Sequence, residues 1–240
     1  MRTLRLGVLT PSSNTALEPL TSALAAAVPG CSAHFSRFKV TEIGLSSQAL
    51  AQFDDSNILA AAELLADARV DVIGWSGTSS GWLGFDADRR LVERIRERTG
   101  IAATTAVLAL NELLALRGVR RLALVTPYTA DVQQRIVENY RGLGIDVVAE
   151  RHLDISVNHD FALVEPDRLM TLMREVGKAR PDAIATYCTN LRAAHLAEAI
   201  ESELDIPLLD TVSTTVWGQL RSAGADPAQV RGWGQLFGWR

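Results

Sequence analysis

The feature that most constrains this chain is that it reads as one α/β unit written twice. Short β-branched or apolar runs alternate with longer amphipathic segments, the pattern of parallel strands joined by crossover helices. The runs predict strands at Arg5–Thr10, His34–Val40, Val70–Trp75 and Ile101–Thr105, then at Arg121–Thr126, Asp146–His152, Ala183–Tyr187 and Pro207–Asp210. Arg5-Leu-Gly-Val-Leu-Thr-Pro11 matches Arg121-Leu-Ala-Leu-Val-Thr-Pro127 at an offset of 116. Val72-Ile-Gly-Trp-Ser-Gly-Thr78 matches Ala183-Ile-Ala-Thr-Tyr-Cys-Thr189 at 111. Ile101 and the helical stretch from Thr105 to Gly118 match Ile206 and the stretch from Asp210 to Ala223 at 105. The order is the same in both halves. The expected fold is therefore α/β, with two pseudo-symmetric Rossmann-like lobes, each a four-stranded parallel sheet flanked by helices. The first lobe is expected to take residues 1–112 plus 213–240 and the second residues 113–212.

Parallel α/β sheets bind ligands beyond the carboxyl ends of their strands, where helix N-termini present backbone N–H groups. Two facing lobes would enclose one cleft there. The residues at those ends are Pro11-Ser12-Ser13-Asn14-Thr15, Ser76-Gly77-Thr78-Ser79-Ser80, Pro127-Tyr128-Thr129 and Cys188-Thr189-Asn190. Hydroxyls, amides and a thiol without a cluster of fixed positive charge suit a small carboxylate better than a nucleotide polyphosphate. Each Ser, Thr or Asn also reads as a helix N-cap. Capping accounts for one residue per site, not for four sites of one chemistry.

Composition narrows the partners. With 240 residues and 48% hydrophobic content the chain has enough apolar surface for a sizeable core. Its net charge is −4 and the charges are scattered, so no footprint for nucleic acid appears. No apolar run approaches membrane-spanning length, and the N-terminal run is too brief for a signal peptide, so the expected location is the cytoplasm. Cys31 and Cys188 are far apart with no metal-site spacing, so each is read as a free thiol. No metal or cofactor is expected, since dinucleotide, phosphate-loop and zinc-helix motifs are all missing. A homo-oligomer stays open. The histidines do not cluster, and His195 reads as an exposed helical residue.

Cys188 carries the most chemistry. It ends a predicted strand and precedes a predicted helix over Thr189–Ala199, whose dipole would lower the thiol pKa. Cys31, near the Pro29-Gly30 loop, reads as an ordinary core cysteine. The internal repeat makes Gly77 the counterpart of Cys188, so one side of the cleft has a thiol and the other has none.

With these residues in view, nearly the whole chain resembles the aspartate/glutamate racemase superfamily, and within it the branch of arylmalonate decarboxylases and maleate cis-trans isomerases. Gly7-Val-Leu-Thr-Pro-Ser-Ser-Asn-Thr15 is similar to the first loop of the maleate isomerases. Gly77-Thr-Ser79, Tyr128 and Cys188 look like the active-site set of the arylmalonate decarboxylases. By that resemblance, racemases and isomerases carry a cysteine at each pseudo-symmetric strand end, whereas the decarboxylases carry glycine at the first, as here. A cofactor-independent racemase needs an acid/base group on each face of the carbon, whereas a decarboxylase needs one proton donor.

The resemblance thus implies decarboxylation of a substituted malonate-like diacid. Thr78, Ser79, Tyr128 and the Thr189 N–H would hold the enediolate, and Cys188 would protonate it. Pro11, Ser12, Ser13, Asn14, Asn158 and Trp75 are the further substrate-binding candidates. Asn14 and Asn158 resemble the amides with which maleate isomerases hold substrate carboxylates, and Arg37 sits where that group also has a basic residue, although Arg37 also reads as a surface residue and Asn158 as a loop cap. Trp75 and Trp82 flank the Gly77 loop, either as walls for a substituent or as core. Restoring a thiol by Gly77→Cys is expected to introduce racemase activity on product acids. The alternatives are an isomerase or racemase acting on a small dicarboxylate or amino acid, and a non-catalytic carboxylate-binding protein.

Overall fold

A computed structural model describes residues 3–239 of the chain. All eight expected strands form, as β1 (Leu4–Pro11), β2 (Cys31–Phe38), β3 (Val72–Trp75), β4 (Ala102–Thr105), β5 (Arg121–Thr126), β6 (Asp146–His152), β7 (Ala183–Thr186) and β8 (Leu208–Asp210). They make two parallel four-stranded sheets, ordered β2-β1-β3-β4 and β6-β5-β7-β8. The same order in each sheet is what the duplicated sequence predicts. Central strands β1, β3, β5 and β7 are almost wholly buried, which is why they read as continuous apolar runs rather than alternating ones. Edge strand β6 is half-exposed along its length. Strand ends move by up to three residues from expectation: β2 starts at Cys31 and stops at Phe38, and β7 stops at Thr186.

Among the described residues ten α-helices flank the sheets: α1 (Leu17–Ala26), α2 (Ser47–Ala51), α3 (Asp55–Asp67), α4 (Ser80–Leu83), α5 (Asp86–Thr99), α6 (Ala106–Leu116), α7 (Ala130–Gly142), α8 (Pro166–Gly177), α9 (Ala197–Leu204) and α10 (Thr211–Ser222). Helices α6 and α10 start at matching strand ends and are capped there by side chains. Thr105 Oγ1 accepts from Leu108 N at 3.0 Å, and Asp210 Oδ1 accepts from Val212 N at 2.9 Å and Ser213 N at 3.2 Å. Helix α10 is buried from Thr211 to Leu220. It packs on β3, β4, α1 and α6, so the end of the chain covers the sheet formed at its beginning. Gln219 Nε2 donates to the Gly7 carbonyl at 2.7 Å. None of the described helices is long and apolar enough to cross a membrane.

Candidate active site

The carboxyl ends of both sheets meet at one cavity. Its wall includes Pro11, Trp75, Gly77, Thr78, Ser79, Tyr128, Asn158, Cys188 and Thr189, all anticipated from the sequence as site residues. It also includes Trp82, and three residues that sequence reasoning missed: Val40, Ile43 and Phe53. These three come from the stretch between β2 and α3: Val40 reads in the sequence as the end of a strand, and Ile43 and Phe53 as apolar residues outside any strand or helix period. They close the cavity from above. The free space inside is about 20 Å³, room for a single water. The cover is stitched to the second lobe by Ile43 N donating to Ser156 O at 2.9 Å and Asn158 N donating to Thr41 O at 3.0 Å.

Cys188 is 3% exposed and stands two residues past β7. The expected helix over Thr189–Ala199 does not form. The chain turns at Thr189 and Asn190, makes a short 3-10 turn at Ala194–Leu196, and enters α9 only at Ala197. The polar groups of this turn serve the other lobe instead of a local helix. Asn190 Oδ1 accepts from Thr15 N at 3.0 Å and Ala16 N at 3.2 Å, and its Nδ2 donates to Asn158 O. No helix dipole therefore acts on the thiol. Burial pushes the Cys188 pKa up from 9.0 to about 12, and hydrogen bonds from the Tyr128 hydroxyl and the Asn190 N–H offset only part of that. The expected lowering is reversed, and the resting group is a thiol.

Tyr128 is 2% exposed, bonds Thr78 Oγ1 at 2.6 Å and reaches Cys188. Burial first, then the nearby sulfur, hold its pKa well above the ordinary 10.0, so it is a hydroxyl donor. The ring is fixed edge-on to Trp82, centroids 5.3 Å apart, and to Phe161 at 5.7 Å. The N–H groups of Thr78, Ser79 and Thr189 take no backbone acceptor among the described residues. Hydroxylic residues thus line the cavity from both lobes, Thr78 and Ser79 from one and Tyr128 and Thr189 from the other.

Other anticipated residues stand behind the wall. Ser12 and Ser13 both donate to Val40 O, at 3.3 and 2.6 Å, and Asn158 Nδ2 donates to Ser13 Oγ at 2.7 Å. Asn14 caps the start of α1 through Ala16 N and Leu17 N, each at 3.0 Å, and donates to Thr189 Oγ1 at 3.3 Å. In this arrangement Ser12, Ser13 and Asn14, expected as substrate-binding residues, bind the loops together and are not part of the cavity wall. Arg37 is likewise outside it, paired with Glu18 at 2.8 Å and donating to the carbonyls of Ser12 and Asn14. His152, His159 and His195 do not border the cavity either. Cys31 begins β2, at the opposite end of the sheet from the site.

A sequence profile of the arylmalonate decarboxylase family matches residues 18–237. The arylmalonate decarboxylase of Bordetella bronchiseptica is 32% identical over 69% of this chain and 70% of its own length. The maleate isomerase of Nocardia farcinica is 26% identical over 97% of this chain and 95% of its own. Its structure, a Cys-to-Ser variant with a covalently bound succinylcysteine intermediate, superposes with a TM-score of 0.90 at 24% identity over 98% of both chains. The maleate isomerase of Pseudomonas putida S16, in a Cys-to-Ala variant holding maleate, does so with a TM-score of 0.91 at 27% identity, over 99% of this chain and 98% of that one. Two parallel sheets, a shared cavity and a profile match across nearly the full length lead to one assignment: the chain belongs to the arylmalonate decarboxylase family.

Proposed function

We propose that the protein is a cofactor-independent decarboxylase of a malonate-like diacid bearing an apolar substituent. The observation that carries this reading is the one-sidedness of the site: a buried, protonated thiol at Cys188 faces a position, Gly77, with no side chain. In the proposed reaction one carboxylate is lost. The carbon–carbon bond to it breaks, carbon dioxide leaves, and the electron pair stays on the remaining carboxylate as an enediolate. Thr78, Ser79, Tyr128 and the Thr189 N–H stabilise that charge, and one donor of this kind is commonly worth ~100–1000-fold in rate. Cys188 gives its proton to the carbon and regains one from solvent. The apolar wall of Val40, Ile43, Phe53, Trp75 and Trp82 receives the substituent once the cover lifts, because the closed cavity is too small for a diacid.

A second reading, a maleate-type isomerase, is supported by relatives that carry that name. The Nocardia enzyme forms its succinylcysteine with one cysteine replaced by serine, so it has a further cysteine for the covalent bond. Here Cys188 stands alone at the cavity, and a thiol whose pKa is about 12 is a proton donor and a poor nucleophile. The direct test is carbon dioxide release from a series of phenyl- and alkylmalonates, with maleate as the competitor. Release from the malonates with maleate untouched supports decarboxylation; turnover of maleate alone overturns it in favour of isomerisation.

A further inference from the structure

The blank at Gly77 is not an empty space. A Cβ placed on Gly77 would lie 2.0 Å from Cζ2 of Trp75, 2.4 Å from Cε2 and 2.5 Å from Cη2, well inside contact distance. The obstacle is the rigid body of an indole, not the end of a flexible chain. That indole is 1% exposed and packs on Phe38, with ring centroids 5.1 Å apart. Its Nε1 has no hydrogen-bond partner among the described residues, so packing seats it. In the other lobe the residue matching Trp75 is Thr186. Its smaller side chain donates to Asp210 Oδ2 at 2.8 Å.

The geometry points to Trp75 as a specificity-determining residue: its ring occupies the place of the second acid/base side chain and makes the opposite face of the bound acid inert. The pairs Trp75 with Gly77 and Thr186 with Cys188 are alternative fillings of one backbone plan. On this proposal Gly77→Cys alone does not introduce racemase activity, contrary to the expectation from the sequence. A side chain at 77 displaces the indole or is displaced by it. Racemisation needs one thiolate to take the α-proton while the opposite thiol delivers another, so both sulfurs must reach the same carbon. Only when residue 75 is also reduced does that second position open. This assignment rests on the decarboxylase reading for its substrate but not for its geometry.

The test uses one enantiomer of 2-phenylpropionate in D2O, followed by NMR for α-deuterium and by chiral chromatography. Wild type, Gly77→Cys, and the double variants Trp75→Thr/Gly77→Cys and Trp75→Leu/Gly77→Cys are compared, the leucine version retaining more bulk for folding. Racemisation is expected in a folded double variant and absent in wild type and Gly77→Cys. A folded Gly77→Cys protein that racemises as fast as the doubles, or folded doubles no faster than Gly77→Cys, overturns the proposal. A crystal structure of Gly77→Cys provides the readout independent of activity: the indole is expected to keep the new Sγ out of the cavity, by a shift of the backbone at residue 77, and an unmoved ring and backbone with Sγ inside the cavity overturn it. Lack of carbon dioxide release by wild type from methyl(phenyl)malonate would instead count against the decarboxylase reading.

Discussion

The two lobes meet at the cavity with the same backbone and different contents. At the end of β3 stand Trp75, Gly77 and Ser79; at the end of β7 the matching residues are Thr186, Cys188 and Asn190. Ser12, at the end of β1, corresponds to Tyr128, which follows β5. The second lobe therefore supplies the thiol, the phenol and the amide that ties Thr15 and Ala16 to it. The first lobe supplies small hydroxyls and an indole. Each lobe also buries one carboxylate against a threonine hydroxyl, Asp88 with Thr105 and Asp210 with Thr186. A duplicated scaffold gives two equivalent places for reactive groups, and this chain has filled them unequally.

The asymmetry is sharpened most by removing the thiol. Cys188→Ser is expected to lower kcat for carbon dioxide release by ~10²–10⁴-fold, the usual worth of a positioned general acid, with an unchanged melting temperature. An unaffected rate would mean that the proton comes from elsewhere. Next is Tyr128→Phe, which removes a donor that the first lobe's Ser12 does not replace. A fall of ~100-fold in kcat is expected, larger than any change in KM.

The paired carboxylates give a pH test. Burial raises Asp88 and Asp210 from 3.8 to about 6, so the folded protein binds protons more tightly than the unfolded chain. Their contribution is fully present below pH 3.8 and is lost as pH rises through about 6. Asp88→Asn should therefore be the more stable protein at pH 8 relative to pH 4.5, by about 2 kcal/mol in the wild-type-minus-variant difference from urea melts. Equal pH dependence in both would show Asp88 to be ionised at little cost. The smallest effect is expected for Asn190→Ala, which leaves Thr15 N and Ala16 N without their acceptor. A loss of about 1–2 kcal/mol corresponds to a Tm lower by ~2–8 °C, measurable by calorimetry.

Much of this was legible in the sequence because it depends on local pattern. Fully buried central strands must be continuous apolar runs, and small hydroxylic residues at their ends marked where the lobes meet. Gly77, Thr78, Ser79, Tyr128, Cys188 and Thr189 do share one cavity wall. What escaped is set by side chains reaching over distance. Nothing local says that the Trp75 indole folds back over Gly77, two residues on. The stretch Thr189–Ala199 has helical composition, yet Asn190 uses its amide on Thr15 and Ala16, just ahead of α1, and the helix starts late. Because that dipole is absent and the thiol is enclosed, the direction of the Cys188 shift was inverted. Val40 reads as the end of a strand, and Ile43 and Phe53 lie in a segment without period, where apolar residues give no sign of what they cover.

The burial of α10 against the first sheet also orders events in time. During synthesis all four strands of that sheet emerge within the first 105 residues, but Gly74 and the Gly7 carbonyl wait for Gln219. The second sheet's own strands, by contrast, lie between residues 121 and 210. Contacts of such long sequence separation form late. On the ribosome, the sheet translated first gains its α10 cover only after residue 222 has emerged.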